Sequence, residues 1–307
     1  MMKIYILDAF HPAGPEYAAR HCEVVRWDDP KVKRWAEEAD GVMVRMTPIR
    51  AADLARAKQV KVICKQGVGF DSIDIQAAAK HGIPVLRTPG VNSEAVAEMA
   101  MALALSATRR VTETDRMLRA GAKIERPDIL GIEMWRKTVG VIGLGNIGSR
   151  VARKWQGAFE ANVIFYDPYV ESKPPCQKVS HLDELLKKAD LVSIHVPLTD
   201  ETRKMIGAPQ LALMKHTAVL VNTSRGGIID EAALYQALKG GRLFAAGLDV
   251  WEVEPPPRDA PLLSLPNVVG TPHAAGGTFD TQERSSLQVA MQVVDVLQGK
   301  PPQNRVN

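Results

Sequence analysis

The sequence predicts an α/β protein of two domains, each a parallel sheet wound with helices. Three observations predict it. Short β-branched runs recur with helical patterns between them, the alternation that builds doubly wound sheets. Several runs are apolar throughout rather than alternating, as strands covered on both faces are. And 307 residues are too many for one ordinary core and suit two.

Taken in order, the first series of strands is expected at KIYILD (3–8), CEVVRW (22–27), GVMVR (41–45), KVICKQG (61–67) and IPVLRT (83–88). A long helical stretch, 92–121, follows, with Ser93 at its start and Gly121 as its stop. It fits neither sheet's rhythm and is read as a bridge between domains. The second series is TVGVIGL (138–144), NVIFYD (162–167), LVSIHVP (191–197), AVLVNTS (218–224), AAGLDV (245–250) and NVVGTP (267–272). A last helix runs from about 280 to 297. No strand follows it, so it is free to cross back onto the first domain.

Composition narrows the class. At 46% hydrophobic and 24% charged, without a polar low-complexity tract, the chain is an ordinary globular one. The net charge is +4, but Lys and Arg are scattered, which disfavours a nucleic-acid-binding stripe. Cys22, Cys64 and Cys176 are odd in number and lack a CxxC pair, which argues against a disulfide framework or a zinc site and for a reducing compartment. The opening MMKIYILDAF is too short an apolar run for a signal peptide and is broken by Asp8. The longest apolar stretch, 95–107, carries Glu98 and falls short of a membrane span. A cytoplasmic protein is expected.

Residues 139–150, VGVIGLGNIGSR, hold a Gly-x-Gly-x-x-Gly at Gly143, Gly145 and Gly148. Alone it is weak, because glycine-rich turns are common. Here a strand runs into it and a helix leaves it. The first glycine permits the turn, the second lets a diphosphate approach, and the third lets helix and strand pack closely. Asp167 ends the next strand about 20 residues on, where a carboxylate accepts ribose hydroxyls and repels a 2′-phosphate. The four elements in order point to a dinucleotide, NAD rather than NADP.

Three later stretches place chemical side chains at strand ends, where open α/β sheets bind ligands. Arg225 follows a strand in VLVNTSRGGIIDEAAL and can clamp a carboxylate or polarise a carbonyl. AAGLDVWEVEPPP supplies Asp249 and Glu254, and NVVGTPHAAGGT supplies His273. A Glu beside a His stabilises the imidazolium and poises it as a proton donor. Each residue alone also fits a solvated or packed role; their convergence on one kind of strand end favours chemistry.

These motifs, with YDP and IHVPLTDET, and with VICKQGVGFDSIDIQAAAKHGIPVLRTPGVNSEAVAE in the first domain, resemble the D-isomer-specific 2-hydroxyacid dehydrogenase family over nearly the whole chain. The resemblance implies two Rossmann-like domains with parallel sheets: an NAD-binding domain at 97–277 inserted into a flavodoxin-like substrate domain at 1–96 and 278–307, with a cleft between. It implies Arg225, Glu254 and His273 as the catalytic trio. It places Gly143, Gly145, Asn146, Ile147, Gly148, Asp167, His195, Val196, Pro197, Thr223, Ser224, Arg225, Asp249, His273 and Gly276 at cofactor-contacting positions, Asp249 near the nicotinamide. The Gly67-Val68-Gly69 turn would offer its amides to the substrate carboxylate beside Arg225. Arg45 and Lys65 are extra cations, suited either to a second anionic group such as phosphate or to plain solvation.

The implied activity is NAD-dependent interconversion of a small 2-hydroxy acid and its 2-oxo acid. Glu254 stands where formate dehydrogenases carry Gln, which favours alcohol–ketone chemistry. Phosphoglycerate and phosphite dehydrogenases remain as substrate variants. An NAD-sensing corepressor on the same fold remains as a different class. A regulatory domain beyond residue 307 is not expected. A homodimer through 98–137 is implied too, although Lys123-Ile124 and Trp135-Arg136 depart there from the family's usual pattern.

Overall fold

A computed structural model describes residues 1–171, 173 and 175–307. The elements open with β1 (Lys3–Ile6), α1 (Ala13–Ala19), β2 (Glu23–Val25), α2 (Trp35–Glu38), β3 (Gly41–Val44), α3 (Ala51–Arg56), β4 (Val62–Lys65), α4 (Ile75–Lys80) and β5 (Val85–Arg87). Next come α5 (Ser93–Thr108), α6 (Val111–Arg119), β6 (Thr138–Ile142), α7 (Asn146–Phe159), β7 (Asn162–Tyr166), β8 (Gln177–Lys178), α8 (Leu182–Lys188) and β9 (Leu191–Ile194). The chain ends with α9 (Ala208–Leu213), β10 (Val219–Asn222), α10 (Glu231–Lys239), β11 (Ala245–Leu248), β12 (Val268–Gly270) and α11 (Phe279–Leu297). Two compact units result: Met1–Asn92 with Gly277–Asn307, and Ser93–Gly276.

In the first unit the sheet order is β2-β1-β3-β4-β5, all parallel. Ile4 and Ile6 point to one face, where Val289, Val293 and Val294 of α11 cover them. Tyr5 points to the other, toward Trp35, Leu54 and Ala78 of the helices between strands. Burial on both faces is why β1 reads as apolar without alternation.

The second unit orders its strands β12-β11-β10-β9-β6-β7-β8, again all parallel. Val139 and Val141 pack under Leu103, Ala107, Val151 and Trp155 of α5 and α7. Ile142, Val192 and Leu220 pack under Leu185, Leu211 and Leu234 of α8, α9 and α10. The strand order reverses between β6 and β9, which opens a crevice at their C-terminal ends.

Each of the eleven expected runs contains a strand. β8 is additional; two residues at the sheet's edge are too few to leave a periodic signal. The 92–121 stretch is two helices rather than one, broken at Arg110, whose φ is 54°. The buried stripe of α5 (Ala97, Ala100, Ala104, Ala107) stops there, and α6 buries no residue. Arg110 instead opens α6: its carbonyl accepts Thr114 Oγ1 at 2.8 Å and its guanidinium meets both Glu113 oxygens at 2.8 Å. Among the described residues no helix is long and apolar enough to cross a membrane.

Candidate active site

The glycine loop is shaped by close contacts. A Cβ on Gly143 (φ 86°) would sit 2.7 Å from the His195 carbonyl oxygen, and one on Gly148 would overlap the carbonyl oxygen of Gly143. At Gly145 a Cβ would meet nothing within 4 Å. Two glycines are thus demanded by packing, while the third leaves the backbone open. Gly145 is the N-cap of α7 and supplies no side chain to cap it, so the first-turn amides and the positive end of the helix are available to phosphate. Asn146 and Ile147 form that first turn. Thr223 Oγ1, after β10, is buried with no partner among the described residues. The site fits a dinucleotide.

Asp167 is 8% exposed and tied into the same loop. Its Oδ2 accepts the Leu144 N–H at 2.8 Å, and its Oδ1 accepts those of Tyr169 and Val170 at 2.8 and 3.2 Å. It therefore anchors the glycine loop to the end of β7; Oδ1 is taken by two amides, and Oδ2 keeps a second lone pair. His195 turns inward: Nε2 lies 2.8 Å from Ser193 Oγ, and Nδ1 is buried without a partner among the described residues. Burial pushes its pKa down to about 3, so the ring is neutral. Val196 and Pro197 follow it out of β9, half-buried and exposed.

The turn after β10 is organised by Asn222. Its Oδ1 accepts the N–H and Oγ of Ser224 at 3.0 and 2.7 Å, while its Nδ2 donates to the Arg225 carbonyl at 2.9 Å. Arg225 NH1 donates to the Ser224 carbonyl at 2.7 Å.

Beyond β11, Asp249 is 1% exposed. Its carboxylate accepts Thr271 Oγ1 at 2.6 Å and the amides of Ala274 and Ala275 at 2.8 and 3.0 Å, and its carbonyl accepts the His273 N–H at 2.7 Å. These bonds hold His273 at a φ of 53°, in the left-handed region, with Gly276 following in the same segment. The Asp249 carboxylate thus shapes the His273 loop. The His273 Nδ1 lies 2.7 Å from Glu254 Oε2, and Glu254 Oε1 accepts the Trp251 N–H at 3.1 Å. With Nδ1 engaged, Nε2 is the ring nitrogen left for a ligand. Arg225, Glu254 and His273 rise from the C-terminal ends of β10, β11 and β12.

The Gly67 N–H donates to Thr88 Oγ1 at 2.8 Å, and the Gly67 carbonyl accepts the Thr88 N–H at 2.9 Å. Thr88, at the end of the neighbouring strand, thus holds the Gly67 end of the Gly67-Val68-Gly69 turn. The Arg45 segment is fixed by Asp8, which accepts the amides of Arg45, Met46 and Thr47 at 2.6, 3.1 and 3.0 Å. Lys65 Nζ donates to the Arg45 carbonyl at 2.6 Å.

Residues 101–275 match the family model for the D-isomer specific 2-hydroxyacid dehydrogenase, NAD binding domain. A glyoxylate reductase from Korarchaeum cryptofilum is 40% identical over 319 residues, covering 99% of this chain and 96% of that one. The chain belongs to the D-isomer-specific 2-hydroxyacid dehydrogenase family. A D-3-phosphoglycerate dehydrogenase from Methanocaldococcus jannaschii is 44% identical over 276 residues, 88% of this chain and 52% of that one, so the chain spans about half that relative's length. The crystal structure of TT0316 protein from Thermus thermophilus superposes with a TM-score of 0.90 at 38% identity, covering all of both chains.

In this family member the candidate side chains Arg225, Glu254 and His273 stand out in the sequence, whereas several residues that fix their turns and the first unit's loops do not. Asn222, Asp8 and Thr88 escaped notice. The signal for Asn222 is a polar residue closing the apolar run VLVN, 2% exposed and hydrogen-bonded through both its Oδ1 and its Nδ2. A buried amide in that position has to be hydrogen-bonded.

Proposed function

We propose that the chain is an NAD-dependent oxidoreductase interconverting a small 2-hydroxy acid and its 2-oxo acid. Its support is the 2.7 Å contact of His273 with Glu254, on the strand edge that also carries Arg225. Gly143, Gly145, Asn146, Ile147, Gly148, Asp167, Val196, Pro197, Thr223, Ser224 and Gly276 would hold NADH, which would supply the hydride. His273 gives its Nε2 proton to the substrate oxygen as that oxygen becomes an alkoxide, and takes it back in the oxidative direction. Glu254 holds the ring through Nδ1 and so aims Nε2 at the substrate oxygen. Arg225 pairs with the substrate carboxylate through its planar fork and offsets the charge growing on the oxygen.

The test is a panel of glyoxylate, hydroxypyruvate, pyruvate and phosphohydroxypyruvate with NADH and NADPH side by side. Turnover of at least one acid, faster with NADH, is expected. No turnover across the panel, with cofactor-dependent partner capture in its place, would make the chain a sensor. A preference for NADPH would contradict the role given to Asp167.

We infer a homodimer through 98–137 as well. α6 buries nothing, and Leu118, Leu130 and Trp135 of this one segment are 69%, 69% and 51% exposed. Large apolar side chains gathered on one segment mark an association surface. The double variant Leu118→Asp/Leu130→Asp should run at half the wild-type mass by light scattering. A wild type that is already monomeric would contradict it. Free thiols at Cys22, Cys64 and Cys176 suit a cytoplasmic setting.

A further inference from the structure

We propose that Glu231 is a positioning residue for the acid–base pair: its carboxylate clasps the loop 251–254 and so sets where Glu254 meets His273. The proposal rests on reading that pair as the proton-handling group.

Glu231 opens α10, but Asp230 already caps this helix, its Oδ1 accepting the Ala233 N–H at 3.1 Å. The Glu231 side chain is left for another task. Its Oε1 accepts the Glu252 N–H at 2.5 Å, while Glu252 Oε1 accepts the Glu231 N–H at 3.3 Å. Two residues 21 positions apart thus exchange a pair of side-chain-to-backbone bonds.

The arrangement is electrostatically unfavourable. Burial, then repulsion from Glu252 and Glu254, push the Glu231 pKa up. Lys204 offsets part of this, its Nζ 3.9 Å from Glu252 and 3.3 Å from Asp230. A helix start needs no such carboxylate; the loop does. Val253 is 62% exposed, so of the loop's side chains only Trp251 belongs to the core. Its placement depends on what grips the backbone.

The grip has two sides. On one, Gly226 packs so closely on the Trp251 carbonyl that a Cβ would overlap it, setting the turn that carries Arg225 against the loop that carries Glu254. On the other stands Glu231. From there a short relay reaches the ring: Glu252 N–H to Glu231, Trp251 N–H to Glu254 Oε1, and Glu254 Oε2 to His273 Nδ1.

Three variants of the full chain test the clasp. Glu231→Gln keeps the Oε1 acceptor and loses the charge; Glu231→Ala loses both; Glu231→Asp keeps the charge but loses the reach. Removing one charged hydrogen bond from the support should lower kcat by about tenfold to a hundredfold in the Ala variant, with the KM for NADH within about twofold. The Asp variant should fall between, and the Gln variant should stay near wild type. Amide exchange over 251–254 should quicken about tenfold in the Ala variant and not in the Gln variant. Wild-type kcat in Glu231→Ala, or equal damage in Glu231→Gln and Glu231→Ala, would overturn the clasp. If the Ala variant does not fold, the Asp and Gln variants decide, with equal rates overturning it. Should the wild type reduce no 2-oxo acid, the acid–base reading falls, and the exchange comparison alone decides whether Glu231 holds the loop.

Discussion

Replacing His273 with Gln is expected to lower kcat by about 10²–10⁴-fold, the range that a positioned acid–base group contributes. The amide matches part of the ring's hydrogen bonding but transfers no proton. The backbone should stay in place, because the bonds from Asp249 to Ala274, Ala275 and Thr271, and from the His273 N–H to the Asp249 carbonyl, do not involve the ring. Steady-state rates set against NADH fluorescence titration separate the two effects: kcat should collapse while cofactor affinity falls far less. A variant retaining more than about a tenth of the rate would show that the proton travels by another route.

The glycine loop gives the second large effect, and two neighbouring substitutions should differ in kind. Gly148→Ala drives a methyl group into the Gly143 carbonyl, both of them backbone-fixed, and should cost about 1–3 kcal/mol of stability. NADH affinity should fall at least about tenfold, because the first turn of α7 can no longer pack on β6. In Gly145→Ala the new methyl meets no protein atom within 4 Å, so the folded state should be nearly as stable as wild type. The methyl then stands where a diphosphate would lie, and NADH affinity should still fall. Thermal melts with and without NADH check both. Equal melts and equal affinities for the two variants would contradict the division of labour between packing and ligand approach.

Sequence and structure agree where short-range pattern decides the outcome. Strand β1 was legible because burial on both faces leaves an unbroken apolar run, and β6 to α7 because the glycines announce the turn. The break at Arg110 was not legible. Residues 109–119 are acceptable helix formers, and what ends α5 is the loss of a buried face after Thr108 rather than a breaker in the chain. The two-residue β8 has no period to read.

The site divides in the same way. Arg225, Glu254 and His273 could be nominated because reactive residue types follow recognisable strands. Thr88 and Asp8 could not, since they act across the sheet, on Gly67 at 21 positions and on Arg45 at 37; Asp249, which the sequence did single out, reaches Ala274 at 25. Parallel strands bring such residues together only once every crossover has formed. The bond from the Gly67 amide to Thr88 is of this kind: nothing near Gly67 in the sequence announces it.

The central claim is that this chain moves a hydride between the nicotinamide and the C2 carbon of a 2-oxo acid. Its most direct measurement uses NADH deuterated at C4, one stereospecific label at a time, with glyoxylate or hydroxypyruvate, and follows the product by mass spectrometry or NMR. One of the two labels should appear at C2 of the hydroxy acid, in step with NADH consumed. NADH oxidised with neither label reaching C2, or bound without any hydroxy acid formed, would contradict the account.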